Sequence, residues 1–433
     1  MLERYALPEM TRLWSEQFKF ELWRDVSVLA VLARNPEQES ELAEAFAKYR
    51  VPPQVEIAAE EQVTRHDVAA FLNVWTEGMS PELAKFVHRG MTSSDLVDSA
   101  NAMRLSLVTG AIVDRLDNLI QLLANLSLRH WETIRIGRTH GQVAEPTMFG
   151  YQLAGHVLNL DKYRHRLANS TAGYLGLVKM SGAVGGYRFT SASDEMQFAY
   201  LLGDGFTPAM YASQILSRDA YADWVCDLAT VATLLENLAL QVRLGQQTEI
   251  AEIAEYASAT SVGSTAMPHK TNPVRSEQVC GLARIVRAQI VPVMEGIVQW
   301  SEHDIAHSSV ERIALRTAST LVHYMAHTMT KVAAGLGVDE HRMWANVHDN
   351  ATPGYWSSTF LVGLLDAGVP RKEAAAAIKA AIEDPANNDT AVWVTNRLES
   401  EFGIRIDTMP PMQVEHVRTA VQAILEEKAN DES

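Results

Sequence analysis

The chain has 433 residues, 47% of them hydrophobic, enough to bury a substantial core as one elongated domain or two to three compact ones, which excludes disorder as its main state. Lys and Arg number 37 against 53 Asp and Glu, a formal charge of -16, so a concentrated basic face for nucleic acid is not expected, while a few local cations can still hold a small anionic substrate. Two cysteines occur, Cys226 and Cys280, neither in a CxxC pair, which fits a reducing compartment and inert thiols rather than a disulfide framework.

The opening, MLERYALPEM, is charged and lacks the apolar stretch of a secretory signal, and no window approaches eighteen consecutive apolar residues, so a cytoplasmic protein with no membrane partner is expected. After Ser94 helical periodicity dominates: Ile112, Leu116, Leu119, Ile120, Leu123 and Leu126 keep to one face of a long amphipathic helix. Helix-compatible runs over residues 220–256, 277–301 and 310–336 contain no proline except Pro292 and exceed the usual helix of about eleven or twelve residues. Strand signals are few, with short candidates near residues 186–190 and 403–407.

The fold class expected is therefore all-α. Three helical domains are placed over residues 1–93, 94–338 and 339–433, the middle one a long helical bundle carrying a reactive loop, with EEKANDES as a frayed tail. Helices this long bury more than one face, which a chain can achieve by associating with copies of itself.

That loop is residues 262–277, VGSTAMPHKTNPVRSE. Gly263 frees the backbone, while Pro268 and Pro273 each remove an N–H and fix φ, so neither belongs inside a helix. The segment presents Ser264, Thr265, Lys270 and Asn272: a nucleophile or base, a cation and an amide that together can hold a small dicarboxylate and an oxyanion made from it.

GSTAMPHKTNP resembles the signature loop of the fumarase/aspartase superfamily, usually of the form GSSxMPxKxNP. MTSSDLVDSANAMRL (residues 91–105) and IGRTHGQVAEPTMFGYQLA (136–154) are similar to its other two signature regions, in the right order. Within the superfamily, ERYALPEMTRLWSEQFKFELWRDV, TRHDVAAF, SGAVGGY, QILSRD and HDIAHSSVERI resemble the adenylosuccinate lyase family.

The resemblance implies fumarate-releasing β-elimination from adenylosuccinate and from the succinylcarboxamide ribotide of purine synthesis, in a homotetramer whose merged bundles build each active site from three subunits. It implies Ser264 as the base that takes the Cβ proton, with Lys270 and Asn272 stabilising the aci-carboxylate, and His140 as the acid that protonates the leaving nitrogen. It implies Glu277 as the carboxylate that orients this histidine. Substrate contacts carried over are Arg4 and Tyr5 for the nucleotide, His66, Asp67, His88, Thr92, Ser93 and Thr139 around the site, Gln214, and Ser308 and Arg312 for phosphate. Because acid, base and oxyanion stabiliser are all protein groups, no metal or organic cofactor is expected.

The chain departs from the pattern at three places. His303 stands where a phosphate-binding Arg is usual, Val143 where many relatives have a His, and Arg316-Thr317 where a Pro-Asp is usual. A histidine lacks the fixed charge and fork of Arg, so a sister C–N lyase acting on another N-substituted succinate stays open. The changed segment also sets His303, His307 and Glu311 at i, i+4 and i+8 on one helical face, a spacing that suits zinc, but HDIAH is not HExxH and a histidine stripe is usually structural.

Overall fold

The structure, a computed structural model, describes residues 3–256, 267, 270–349, 353–387, 391–406 and 411–431. Its main elements are α1 (Glu16–Ala33), α2 (Asp67–Thr76), α3 (Ser93–Arg129), a hairpin of β1 (Ile134–Thr139) and β2 (Gln142–Met148), α4 (Phe149–Ala168), α5 (Asp219–Gly245), α6 (Val274–Ala288), α7 (Ile290–Glu295), α8 (Ala306–Ala334) and, beyond these, α9 (Ser357–Asp366), α10 (Arg371–Ile382) and α11 (Ala391–Phe402). The all-α class expected from periodicity is the class observed.

Local chemistry sets where these helices begin and end. Ser15 Oγ accepts from Phe18 N at 3.1 Å and so caps α1. Asp95 reaches back to accept from Thr92 N at 2.8 Å at the start of α3, occupying an otherwise orphaned donor. Within the 37 residues of α3, Ile112, Leu116, Leu119, Ile120 and Leu123 are all buried, as their spacing predicts. The run expected over 277–301 breaks in two: Pro292 cannot donate to, and its ring collides with, the carbonyl four residues earlier, and α6 ends at that residue, Ala288. The run expected to reach residue 256 stops at Gly245, where an added Cβ would lie 2.4 Å from Ile253 of the returning chain.

The strands differ from expectation. Neither residues 186–190 nor the described part of 403–407 form a strand. The pairings found among the described residues are the antiparallel β1–β2 hairpin and two contacts of two residues each, Leu177–Val178 with Thr207–Pro208 and Ile253–Ala254 with Gly337–Val338. The hairpin escaped sequence reading because its polar residues mask the alternation of Ile134, Ile136 and Val143.

The chain divides into two compact units, one of Met1–Asp117, Leu160–Glu236 and Gln278–Met329, the other of Asn118–Asn159, Asn237–Glu277 and Thr330–Ser433. The first is cored by long-helix leucines and an aromatic cluster in which Phe71 lies 5.9 Å from Phe20, 5.6 Å from Trp23 and 5.6 Å from Trp75, spacings at which ring pairs add to burial. The second includes a satellite core of Phe360, Leu364, Ile378, Val394 and Leu398 from α9, α10 and α11. By length and composition α3 and α5 could each cross a membrane, but 67% and 56% of their apolar windows are buried inside the protein. Cys226 and Cys280 are both free.

Candidate active site

In the second unit His140 sits at the tip of the β1–β2 hairpin. Thr139 pairs with Gln142, leaving a two-residue loop of His140 (φ 56°) and Gly141 (φ 77°), the pair of positive angles that a type I′ turn requires. A left-handed histidine is uncommon, and here the turn displays the imidazole to solvent. His140 and Thr139 are exposed, and His140 has no hydrogen-bond partner among the described residues.

The base of the hairpin is rigid. Ala144 and Glu145 together oppose Gly137 in a bulge, and a Cβ on Gly137 would stand 2.6 Å from the Glu145 carbonyl. Below the bulge, the buried carboxylate of Glu252 meets Arg135 Nη2 at 2.9 Å, Arg138 Nη1 at 3.3 Å and Asn346 Nδ2 at 2.9 Å. Burial pulls the Arg135 guanidinium below its ordinary pKa, with Glu252 opposing the shift.

Ser264 lies outside the described residues, whereas the segments flanking its loop are held by another buried acid. Glu255 accepts from Arg275 N and Ser276 N at 3.0 Å each and from Ser276 Oγ at 2.8 Å, so its carboxylate caps α6 where the helix dipole favours negative charge. Arg275 Nη1 donates to the Tyr256 carbonyl at 3.4 Å. The stem is thus fastened across residues 255–276. On its helical side Lys270 is exposed, Asn272 is half-buried, and Glu277 is exposed in the first turn of α6. Within one chain no hydrogen bond or ion pair among the described residues joins Glu277 to His140.

In the first unit several expected substrate residues are brought together. His66 caps α2, its Nδ1 accepting from Ala69 N at 3.4 Å, and its Nε2 lies 3.4 Å from Ser93 Oγ. Asp67 accepts from Arg312 Nη2 at 2.7 Å, and this bond and charge hold its carboxyl below the usual range against the opposing effect of burial. His88 is left-handed at φ 55°, with Nδ1 buried and unpartnered, and burial lowers its pKa against the pull of Asp95. Thr92 and Ser93 are half-buried at the start of α3. Arg4 is exposed, Tyr5 packs edge-on against Tyr324 at 5.3 Å, and half-buried Gln214 donates its backbone N–H to Glu302 at 3.3 Å. Ser308 is half-buried on α8.

Beneath these residues lie two buried ion pairs. Lys179 and Asp95, both fully buried, are bonded to each other, and Asp95 also accepts from Gly182 N at 3.2 Å. Arg218 grips Asp98 through two bonds of 2.9 Å, donates to Glu311 at 2.8 Å and to the Leu216 carbonyl at 2.8 Å, and its Nη2 lies 3.2 Å from His307 Nε2. Desolvation raises Glu311 to about 7, while burial and then Arg218 lower His307 to about 4.

This corrects the zinc geometry. α8 begins at Ala306, so His303 lies before the helix rather than on its face, and the space facing His307 and Glu311 is occupied by the Arg218 cation.

Sequence reasoning missed Glu252, Glu255 and Lys179. A lone Lys in the apolar run LGLVKMSG was the available signal for Lys179, since a buried ammonium requires a partner. The two glutamates gave none, because their partners are remote in sequence.

A family model described as Lyase matches residues 15–288. An adenylosuccinate lyase of Synechocystis sp. is 37% identical over 380 residues, 86% of each chain. That of Bacillus subtilis is 34% identical over 379 residues, again 86% of each. Among solved structures, the 3-carboxy-cis,cis-muconate lactonizing enzyme of Pseudomonas putida superposes with a TM-score of 0.82 at 21% identity, over 100% of both chains. A fumarate lyase of Mesorhizobium sp. gives 0.78 at 21%, over 98% of this chain and 94% of the other. Likeness at that identity shows the fold alone.

Proposed function

The chain belongs to the adenylosuccinate lyase family of the fumarase/aspartase superfamily, and we propose that it cleaves adenylosuccinate to AMP and fumarate, and the succinylaminoimidazolecarboxamide ribotide of purine synthesis to its carboxamide and fumarate. The observation that carries this reading is identity above one third with adenylosuccinate lyases over 86% of the chain.

In the proposed step the Ser264 alkoxide takes the Cβ proton, and the electrons of that C–H bond move into the adjacent carboxylate to give an aci-carboxylate. Lys270 and Asn272 stabilise it. On collapse the Cα–Cβ double bond forms, the C–N bond breaks, and the leaving nitrogen takes its proton from His140. Exposure of His140 at a hairpin tip, without a hydrogen-bond partner among the described residues, fits a group completed by another subunit. The reading therefore includes a homotetramer with shared sites, Glu277 of one chain orienting His140 of another, and a cytoplasmic location. Arg4, Tyr5, His66, Asp67, His88, Thr92, Ser93, Thr139, Gln214, Ser308 and Arg312 are the proposed substrate contacts.

His303 favours one second reading, a sister lyase for an N-substituted succinate without the phosphate. Incubation of the purified protein with adenylosuccinate, followed by ultraviolet absorbance and mass spectrometry, separates them. Fumarate with AMP is expected. Turnover of a phosphate-free aminosuccinate with none of adenylosuccinate would replace the first reading by the second.

A further inference from the structure

The hairpin that carries His140 has little of its own to hold its aim. Residues 139–143 are all exposed, and in β1 only Ile136 is buried. A two-stranded ribbon is marginally stable by itself in water, so the direction of its tip is set by what grips its base. Arg135 and Arg138 stand three apart on β1, and in a regular strand residues at that spacing point to opposite faces. Across the bulge at Gly137 they converge instead on one carboxylate: Arg135 Nη2 lies 2.9 Å from one oxygen of Glu252, and Arg138 Nη1 donates to the other at 3.3 Å.

Glu252 is itself held from behind. It is buried, its N–H donates to the Gly245 carbonyl at 3.0 Å, and its carbonyl accepts from Asp339 N at 2.9 Å. Asn346, buried in the helix Glu340–Asp349, donates to Glu252 Oε1 at 2.9 Å and to the Ile250 carbonyl at 2.8 Å. Between these anchors Ala251 is left-handed at φ 50°, a conformation that persists only where the surroundings over-determine it. A buried ion cluster is weak evidence for stability, because well-packed apolar side chains of similar volume do as well; its use here is to impose one geometry.

We infer that Glu252, with Asn346 behind it, is a positioning residue for proton transfer: by gripping Arg135 and Arg138 across the bulge it fixes the twist of the hairpin and so the place of the His140 imidazole. Neither Glu252 nor Asn346 lies in any of the motif segments or among the substrate contacts implied by resemblance. Their effect passes through His140, so the inference rests on the proposed role of that residue as the acid. Proton transfer is sensitive to such placement, since a displacement of about 1 Å costs about 10²-fold in rate.

The test is a double-mutant cycle, read by steady-state kinetics of the full-length protein with adenylosuccinate. Glu252→Gln keeps the shape of the side chain and removes its charge, and is expected to lower kcat about 10- to 100-fold with KM within about threefold. Glu252→Asp, one methylene shorter but still charged, should retain more of the rate than Glu252→Gln. In the His140→Ala background, where the group to be placed is gone, Glu252→Gln should cost less than about twofold more, because residues that act as a unit are not additive. A purely structural glutamate would lower both backgrounds by the same factor. That result, or a kcat within about twofold of wild type in the folded single variant, would overturn the inference.

Asn346→Ala removes the support and leaves both ion pairs in place, so it decides the question if Glu252→Gln does not fold. A loss of about fivefold or more in kcat that vanishes in the His140→Ala background supports the clamp, and no loss, or equal losses in both backgrounds, overturns it. Hydrogen exchange needs no turnover. Faster exchange of the hairpin amides over residues 134–148, with the interior of α3 unchanged, is expected in either variant, and unaltered hairpin protection would count against the clamp. If wild type does not turn over adenylosuccinate, the functional reading fails while hydrogen exchange still decides whether Glu252 holds the hairpin.

Discussion

The motif region at residues 91–105 and the hairpin at 134–148, which carries the start of the 136–154 motif, use polar residues in opposite ways. In the first, Asp95 and Asp98 are 0% and 1% exposed and hold Lys179 and Arg218, so the acids organise the interior while hydroxyls such as Thr92, Ser93 and Ser94 stay half-buried. In the second, the buried charge is at the base, where Glu252 clamps Arg135 and Arg138, and the tip offers His140 and Thr139 to solvent. Membership of a motif therefore does not equal a chemical role. Burial and partnering decide which residues position and which react.

The contrast is broken most sharply by removing one of the proposed reacting groups. His140→Ala and Ser264→Ala are each expected to lower kcat by about 10² to 10⁴-fold, the range of acid–base groups, and His140→Ala to leave Tm unchanged because the side chain is exposed and bonds to no described residue. Mixing the two inactive variants should restore part of the activity if sites are shared between chains. Recovery absent after verified subunit exchange would count against the shared-site tetramer.

Removing a positioning acid should do the opposite. Asp98→Ala leaves Arg218 buried with its bidentate partner gone, for which a loss of about 3 kcal/mol or more is expected by denaturant unfolding. A fully folded variant with ordinary stability and no turnover would transfer Asp98 to the reacting group.

A pH series refines the contrast. His307, ordinarily near 6.5, is lowered to about 4 by burial and the Arg218 charge. Between those values the unfolded chain binds a proton that the native state refuses, so stability is fully present above about pH 6.5 and is lost as pH falls toward 4. His307→Gln should flatten that acid limb by on the order of 2 kcal/mol. An unchanged limb would remove His307 as its source.

The smallest effect concerns the loop stem. Glu255→Ala removes the cap of α6 and should cost about 1 kcal/mol, the usual worth of a cap. Hydrogen exchange at Arg275 and Ser276 would check it, with unaltered protection arguing against the cap.

Much of this was legible before any coordinates. Leu116 and Ile120 lie on the buried face of α3 because their spacing already specifies it. The chemistry of residues 262–277 is likewise written in adjacent letters. Less legible was the turn of GRTHGQ, where two positive φ angles follow from His-Gly only once the flanking segments pair. Pro292 was visible, but its consequence, a helix ended four residues upstream, was not drawn from composition.

The sequence by itself determined the helical class, the order of the motifs and the kinds of side chain available for proton transfer, because these depend on residues a few positions apart. Tertiary structure alone decided that Asp95 meets Lys179 across 84 residues and Asp98 meets Arg218 across 120, and that His140 stands clear at a hairpin tip. The physical reason is range. Periodicity and capping act within a turn or two of chain, whereas desolvation and ion pairing depend on whatever the folded chain places alongside.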